Sequence, residues 1–522
     1  MALAFVCWCW WSVVAAAAMA AVWRSAEWLW LRPRRLERAL LAQGLRGSPY
    51  RLPYGDIKDM KNLVSEARKK PMPLSHRIVP RVVPQLQRAL DLYGGNRKMP
   101  FIWFGPYPRV MIMDPEIIKD ILSHKSDQLE KPKSNPYGRL LVSGVAAYVG
   151  KKWAKHRRII NPAFHVEKLK GMMPAFSACC EELINKWEVL ASKGSYELNI
   201  WPEFQSFTGD VISRTAFGSS YKEGQRIFEL QMEQGVLHMQ AAQTLYVPGL
   251  RFLPTQKNRR RNEVHKEVVL LLKRLIEQRE SAIRSREAST NDLLGLLLEF
   301  NPTHSNGCGN HSKEIGLTTE DVIEECKLFY FAGQETTAVL LTWTMIVLSM
   351  HPDWQHRARE EVLHVFGQSK PDFESLSRLK IMNMILHEVL RLYPPGPFLI
   401  RQIYKEMRLG EFNFPAGIQL LLPVILIHHS TEFWGEDAEE FYPERFAEGV
   451  SKVTKNQLVF FPFSWGPRIC PGQSFALTEA KMCLAEILRR FSFELSPSYA
   501  HAPCQVFTLR PQHGAQVILH RL

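Results

Sequence analysis

The chain opens on an uninterrupted apolar run. From Ala2 to Trp23 it carries no charge and one hydroxyl, Ser12. At a helical rise of about 1.5 Å per residue this run spans roughly 33 Å, about the core of one bilayer. Arg24, Arg32, Arg34 and Arg35 follow at once, and no basic residue precedes the run. The positive-inside rule keeps the basic side cytosolic and the N-terminus lumenal, with Trp23, Trp28 and Trp30 as an interfacial belt. Ala18-Met19-Ala20 has the small-residue pattern of a cleavage site, but a cleaved signal peptide needs a basic n-region and a shorter apolar stretch. The pattern predicts a retained single-pass membrane anchor over residues 1–31 and a Pro- and Arg-punctuated hinge over 32–60.

From residue 61 to 522 the periodicity is mostly helical. FIWFG (101–105) and RVMIM (109–113), joined through Pro106-Tyr107-Pro108, read as a hairpin. Long amphipathic stretches follow at 166–190, 224–243 and 262–285. A polar, glycine-bearing loop at 301–316 leads through Thr318 and Thr319, both plausible caps, into a helix of about 30 residues that ends before His351-Pro352. The segment FNFPAGIQLLLPVILIHHS carries strand-like runs, and SFALTEAKMCLAEILRRF is a final helix. No composition shift divides this body. The expected fold class is mainly α with a smaller β region (α+β), in one large domain.

Composition narrows the classes. The 522 residues are 46% hydrophobic and 23% charged, without a repeat or a long low-complexity tract, as in an ordinary globular protein. The net charge of +14 suits an anionic membrane surface or an acidic protein partner. Nucleic acid is excluded as the expected partner, because zinc-knuckle spacing and a glycine-aromatic RNA-binding signature are both missing. The nine cysteines are odd in number and scattered, unlike a disulfide framework, so a reducing compartment is expected. Vicinal Cys179 and Cys180 read as packed thiols on a helix.

Four stretches carry candidate chemistry. In FAGQETTAVLL (331–341), small residues followed by an acid and hydroxyls interrupt an apolar helix. Such residues either bond back to their own turn or let something flat approach, and a widened turn is expected there. HEVLR (387–391) fails as a zinc motif because Arg391 stands where the second histidine belongs. What remains is Glu388 and Arg391 on one helix face, among leucines that imply burial. A buried pair needs a third partner, and FYPERF (441–446) offers Arg445. GVAAYVGKKW (144–153) fails as a phosphate loop, and the chain has no GxGxxG fingerprint, so no flavin or NAD(P) site of its own is expected. Finally, FSWGPRICPG (463–472) sets one cysteine, Cys470, between an aromatic-led turn and a Pro-Gly step.

In that order, AGQET (332–336), EVLR (388–391), PERF (443–446) and FSWGPRICPG resemble the cytochrome P-450 superfamily of heme-thiolate monooxygenases, over essentially the whole chain. WAKHRRIINPAF and QGLRGSPYR look most like the plant 72 clan, its 72A-type members. The resemblance implies the P-450 fold, a single heme domain behind an N-terminal transmembrane helix, and heme b as cofactor. It makes Cys470 the axial ligand of the heme iron, a thiolate that pushes electron density onto the metal. Gly466 then allows the tight turn, Gly472 close approach to the ligand loop, and Phe463 shields the sulfur. Arg468, Trp153, Arg157 and Arg401 are implied as partners of the heme propionates. Thr336 and Glu335 become the oxygen-activation pair, hydroxyl and proton relay, while Ala332 and Gly333 leave room for dioxygen. Glu388, Arg391 and Arg445 become a structural triad.

The reaction so implied is RH + O2 + two electrons + two protons giving ROH + water. Electrons would come from a membrane-bound NADPH–cytochrome P-450 reductase, with cytochrome b5 as a further donor, docking on a basic surface. The expected location is the endoplasmic reticulum membrane with the catalytic domain cytosolic. The segments expected to line the pocket, 134–148, 232–253 and 396–401, are apolar and fit a hydrophobic small molecule such as a terpenoid, hormone or xenobiotic. A heme-thiolate isomerase or dehydratase and a non-enzymatic membrane heme or lipid carrier are the alternatives.

Overall fold

A 32-residue helix, Thr319–Met350, runs through the interior. Its start is set by a capping box: the Thr318 hydroxyl accepts from the Asp321 N–H, and the Asp321 carboxylate accepts from the Thr318 N–H. These bonds satisfy two donors that a helix start would otherwise leave open. It ends at His351, where Pro352 begins the next helix, Pro352–Phe366. Between Gln334 and Leu348 every residue except Thr336 is buried, the signature of a helix packed on all sides. Helices Ile200–Phe217, Lys380–Leu392 and Gln473–Arg490 pack directly against it.

The computed structural model describes the chain except residues 1, 96–98, 125–127, 134, 220, 243, 245–248, 287–290, 302–315, 368 and 456, and the side chains of 2–9, 221–223 and 242. The polar loop expected at 301–316 lies almost wholly outside the described residues, as do parts of the expected pocket segments 134–148 and 232–253. The amphipathic stretches appear as Val166–Leu190, Tyr221–Ala242 and Gln256–Arg284. Cys179 and Cys180 are both buried on the first, with the Cys179 thiol 3.3 Å from Asp210 Oδ2.

The β part is small. Phe101–Phe104 and Tyr107–Met111 form the expected hairpin, Phe101 opposite Val110 and Phe104 opposite Tyr107. Tyr107 and Pro108 belong to the second strand, and the turn closes through Gly105 at φ +60°. Gln419–Leu422 pairs in parallel with Tyr107–Met111, then Leu399–Ile403 and Leu129–Glu130 complete a five-stranded sheet. A second sheet orders Ser195–Asn199, Gln516–Arg521 and Phe491–Leu495.

The N-terminal run is helical, Ala2–Ala26, and passes through a π turn, Glu27–Leu31, into helix Arg32–Ala42. The first residues of the expected hinge are therefore helical, with Pro33 at the second position after the π turn. The remainder is docked. Gly47 and Gly55 bridge to Phe101 and Phe104, and a Cβ at Gly47 would collide with the Phe101 carbonyl. Among the described residues, no helix is long and apolar enough to cross a membrane. Trp10, Trp11, Met19, Val22 and Trp23 are all exposed on the N-terminal helix.

Candidate active site

The segment before the last helix is a tight loop built around Cys470. Its N–H donates to the Phe463 carbonyl at 2.9 Å, which closes the loop on itself. Gly466 holds φ +69°, and a Cβ there would sit 2.5 Å from the Leu122 carbonyl oxygen, so the turn admits only glycine. Gly472 differs from expectation: a Cβ would lie 4.0 Å from Cys470 Sγ, an ordinary contact. What position 472 contributes is its backbone N–H, aimed at the sulfur just before helix Gln473–Arg490.

Cys470 exposes surface and yet is hemmed in by protein, the mark of a thiol lining an internal cleft. Burial pushes its pKa up; the Gly472 N–H, Arg157 and Lys131 pull it back. A bound cation at the sulfur would hold it as thiolate.

Beside the sulfur is an excess of cations, Arg401 buried and Lys131, Arg157 and Arg468 half-buried. Arg468 donates to Glu130 Oε2 at 2.6 Å and to the Tyr148 carbonyl at 3.0 Å, and its guanidinium lies 4.4 Å from the centre of the Trp153 ring. Its Nη1 is buried without a partner. Arg401 is buried and donates to the Ile400 carbonyl; burial, then repulsion from Arg468, brings its pKa down to about 10. Burial likewise lowers Arg157, against the attraction of Cys470. Lys131 donates to the Ala146 carbonyl at 2.7 Å, and burial with Arg401 and Arg468 lowers it to about 7. Lys131, Arg401 and Arg468 thus share one carboxylate, Glu130, while Arg157 faces Cys470 and Arg468. Lys131 and Glu130 carry no motif and were not foreseen; only the pairing of Leu129–Glu130 with Leu399–Ile403 brings them here.

The long helix supplies the other side. Phe164 stacks on its Phe329 at 5.5 Å and meets Phe475 of the cysteine helix edge-on at 6.2 Å, pinning the two helices. Thr336 is exposed, with its hydroxyl donated back to the Ala332 carbonyl at 2.7 Å; half-buried Ala332 lies one turn earlier on that face. The widened turn expected here is not found: the helix is regular from Thr319 to Met350. Gly333 also differs, since a Cβ there would meet Ile212 Cγ1 at 2.6 Å. Its missing side chain admits helix Ile200–Phe217 rather than opening the cleft. Glu335 is buried and accepts from Thr508 Oγ1 at 2.6 Å and Gln205 Nε2 at 3.4 Å. These two partners come from remote segments and were also unforeseen.

Glu388 and Arg391 are fully buried. Arg391 places all five N–H donors: Nε and Nη2 on the two Glu388 oxygens at 2.8 and 2.7 Å, and Nη1 on the carbonyls of His428 (2.7 Å) and Ala438 (2.5 Å). Nη2 also reaches the Glu440 carbonyl at 3.1 Å. Arg445 Nε stands 3.5 Å from Glu388 Oε1, but its hydrogen bonds go to Asp437 and the Trp434 carbonyl. The third partner expected for Arg391 is thus mainly backbone.

Comparison with known proteins agrees with this geometry. The family model described as cytochrome P450 matches residues 87–519. A protein named cytochrome P450 CYP72A616 from Paris polyphylla is 60% identical, with 98% of each chain covered. Cytochrome P450 72A15 from Arabidopsis thaliana is 53% identical, again over 98% of each. Among solved structures, the retinoic acid-bound cyanobacterial CYP120A1 superposes with a TM-score of 0.74 at 20% identity, over 92% of this chain and 99% of that one, a likeness of fold. The chain belongs to the cytochrome P450 family and within it is of the 72A type. It is an oxidoreductase, and its cofactor is heme. The donor set fits that group: a thiol that needs a cation, and an orphaned guanidinium among excess cations that two propionates would balance.

Proposed function

We propose that this is a membrane-anchored monooxygenase that inserts one oxygen atom from O2 into a hydrophobic small molecule, with electrons passed from NADPH by a partner reductase. The observation that carries this reading is Thr336, the one exposed residue in an otherwise buried stretch of the long helix. An isomerase or dehydratase would not need a hydroxyl presented there.

Heme, when bound through Cys470, supplies the redox chemistry. Burial disfavours the ionised form of Cys470; the Gly472 N–H, Arg157 and Lys131 oppose that, and a cation bound at the sulfur would complete the ionisation. Arg157, Arg401, Arg468 and Trp153 would hold the propionates. Thr336 rotates its hydroxyl from the Ala332 carbonyl toward the cleft and holds a proton at Oγ1. Glu335, fixed by Thr508 and Gln205, holds its carboxyl group at the preceding position of the helix as the relay partner. Glu388, Arg391 and Arg445 clamp the segment 428–445 on helix Lys380–Leu392, behind the site, and touch no reactant.

The exposed tryptophans of Ala2–Ala26 and the arginines that follow support an anchor in the endoplasmic reticulum membrane, with the body cytosolic. The net charge of +14 suits docking of an acidic reductase face. Terpenoids and hormones are the first substrates to screen, by the substrate-induced spin-state shift of the heme. The reading requires NADPH consumption that depends on both reductase and substrate. A product formed without either would convert it to the isomerase reading.

A further inference from the structure

Trp343, Tyr393 and His76 form a buried chain beside the long helix, and His351 carries it to the half-exposed end of that helix. The Trp343 and Tyr393 rings stack, with centroids 4.5 Å apart and planes at 17°. His76 Nδ1 is 2.9 Å from the Tyr393 hydroxyl, and His76 Nε2 is 2.9 Å from His351 Nε2.

The direction of these bonds follows from counting donors. A buried phenol must place its O–H on an acceptor, and His76 Nδ1 is the acceptor in reach. A neutral imidazole accepting at Nδ1 carries its proton on Nε2, so His76 Nε2–H donates to His351 Nε2. His76 is held neutral by burial and by His351, at about 3. Tyr393 O–H, His76 and His351 are thus a one-way proton wire. Trp343 differs: its N–H donates to the Leu509 carbonyl at 2.7 Å, a poor base, so the indole can pass an electron but keeps its proton. Trp343 lies seven residues beyond Thr336 on one helix, about 10 Å along the axis.

We propose that Trp343, Tyr393, His76 and His351 form an oxidation outlet that drains oxidising equivalents from the heme cleft when no substrate consumes them. The oxidant is a hydroperoxide, which bound heme would reduce: ROOH + two electrons + two protons give ROH + water. Each electron leaves Tyr393 through Trp343 toward the cleft. The phenol proton moves to His76 Nδ1 while the Nε2 proton passes to His351 and on to solvent. A one-electron reductant in solution, such as ascorbate, returns an electron and a proton to the tyrosyl radical, so two such donations close the balance. The outlet needs heme in place but not the roles given to Thr336, the reductase or the membrane.

The experiment is to challenge the substrate-free holoprotein with hydrogen peroxide, reading heme bleaching optically and radicals by electron paramagnetic resonance. A tyrosyl signal is expected in the native protein, lost in Tyr393→Phe, with bleaching several-fold faster and no longer slowed by ascorbate. His76→Gln should keep the fold but slow tyrosyl formation. Trp343→Phe gives an independent variant should Tyr393→Phe lose heme. Deuterium-labelled tyrosine in the native protein shows that the radical is a tyrosyl, and its loss in Tyr393→Phe assigns it to that position. An unlabelled or absent tyrosyl signal, or unchanged bleaching in both variants, overturns the outlet. Neither result bears on NADPH-dependent oxygenation, so the two readings fail separately.

Discussion

Arg391→Ala is the sharpest test of how the fold holds the heme domain together. The substitution removes a guanidinium whose five donors all have acceptors. It strands Glu388, fully buried, with the Tyr442 N–H at 3.0 Å and Arg445 at 3.5 Å as remaining partners. Breaking a buried pair from one side costs about 3–5 kcal/mol. The two buried carbonyls left without their donor, of His428 and Ala438, add about 1–3 kcal/mol each. The total reaches the whole stability of a typical domain, about 5–15 kcal/mol, so Arg391→Ala should yield little heme-loaded protein. A double variant, Glu388→Leu with Arg391→Met, separates the two parts. It removes both charges but still strands the buried carbonyls of His428 and Ala438 and the Tyr442 N–H, so a loss of about 3–9 kcal/mol remains. Heme content from the carbon monoxide difference spectrum, together with urea midpoints, measures both. Arg391→Ala protein that retains heme within about 1 kcal/mol of native stability would refute this reasoning, because only an exposed pair is worth so little.

Cys470→Ser should abolish the red-displaced carbon monoxide band that thiolate ligation produces, while the fold, read by circular dichroism, persists. Thr336→Ala should leave NADPH consumption nearly intact but divert it to peroxide, seen as a fall in product per NADPH. Gly466→Ala forces a side chain into a φ of +69° against the Leu122 carbonyl and should cost at least about 1–3 kcal/mol, seen as a lower denaturation midpoint and weaker heme retention. Acidification tests the buried histidines: His76, His428 and His429 are lowered from 6.5 to about 3, mainly by burial. The unfolded chain takes up protons that the folded one refuses. Stability is therefore full above about pH 6.5 and falls on the way to about pH 3, by up to about 1.4 kcal/mol per pH unit for each histidine. A flat stability profile between pH 6.5 and 4 would contradict this.

Local chemistry was legible wherever it depends on neighbours in sequence. Thr318 and Thr319 announced the start of the long helix as candidate caps, and His351-Pro352 its end, because capping and the missing proline N–H act within one turn; that Asp321 completes the cap was added by the structure. Gly466 announced its turn because a positive φ excludes a side chain. The loop around Cys470, the Glu388–Arg391 pair and the helical character of the body were legible in the same way. What required the tertiary structure was everything set by segments distant in the chain. Lys131 and Glu130 join the cationic cradle only because Leu129–Glu130 pairs with a strand some 270 residues later. Gly333 faces Ile212 rather than the cleft, and Glu335 is held by Thr508 and Gln205, because side-chain direction depends on which helices cross. His76 meets Tyr393 across more than 300 residues. A sequence states which groups are available and how each turn of chain is shaped; which groups share a buried space is decided by packing, where burial and the lack of water give each contact its energy.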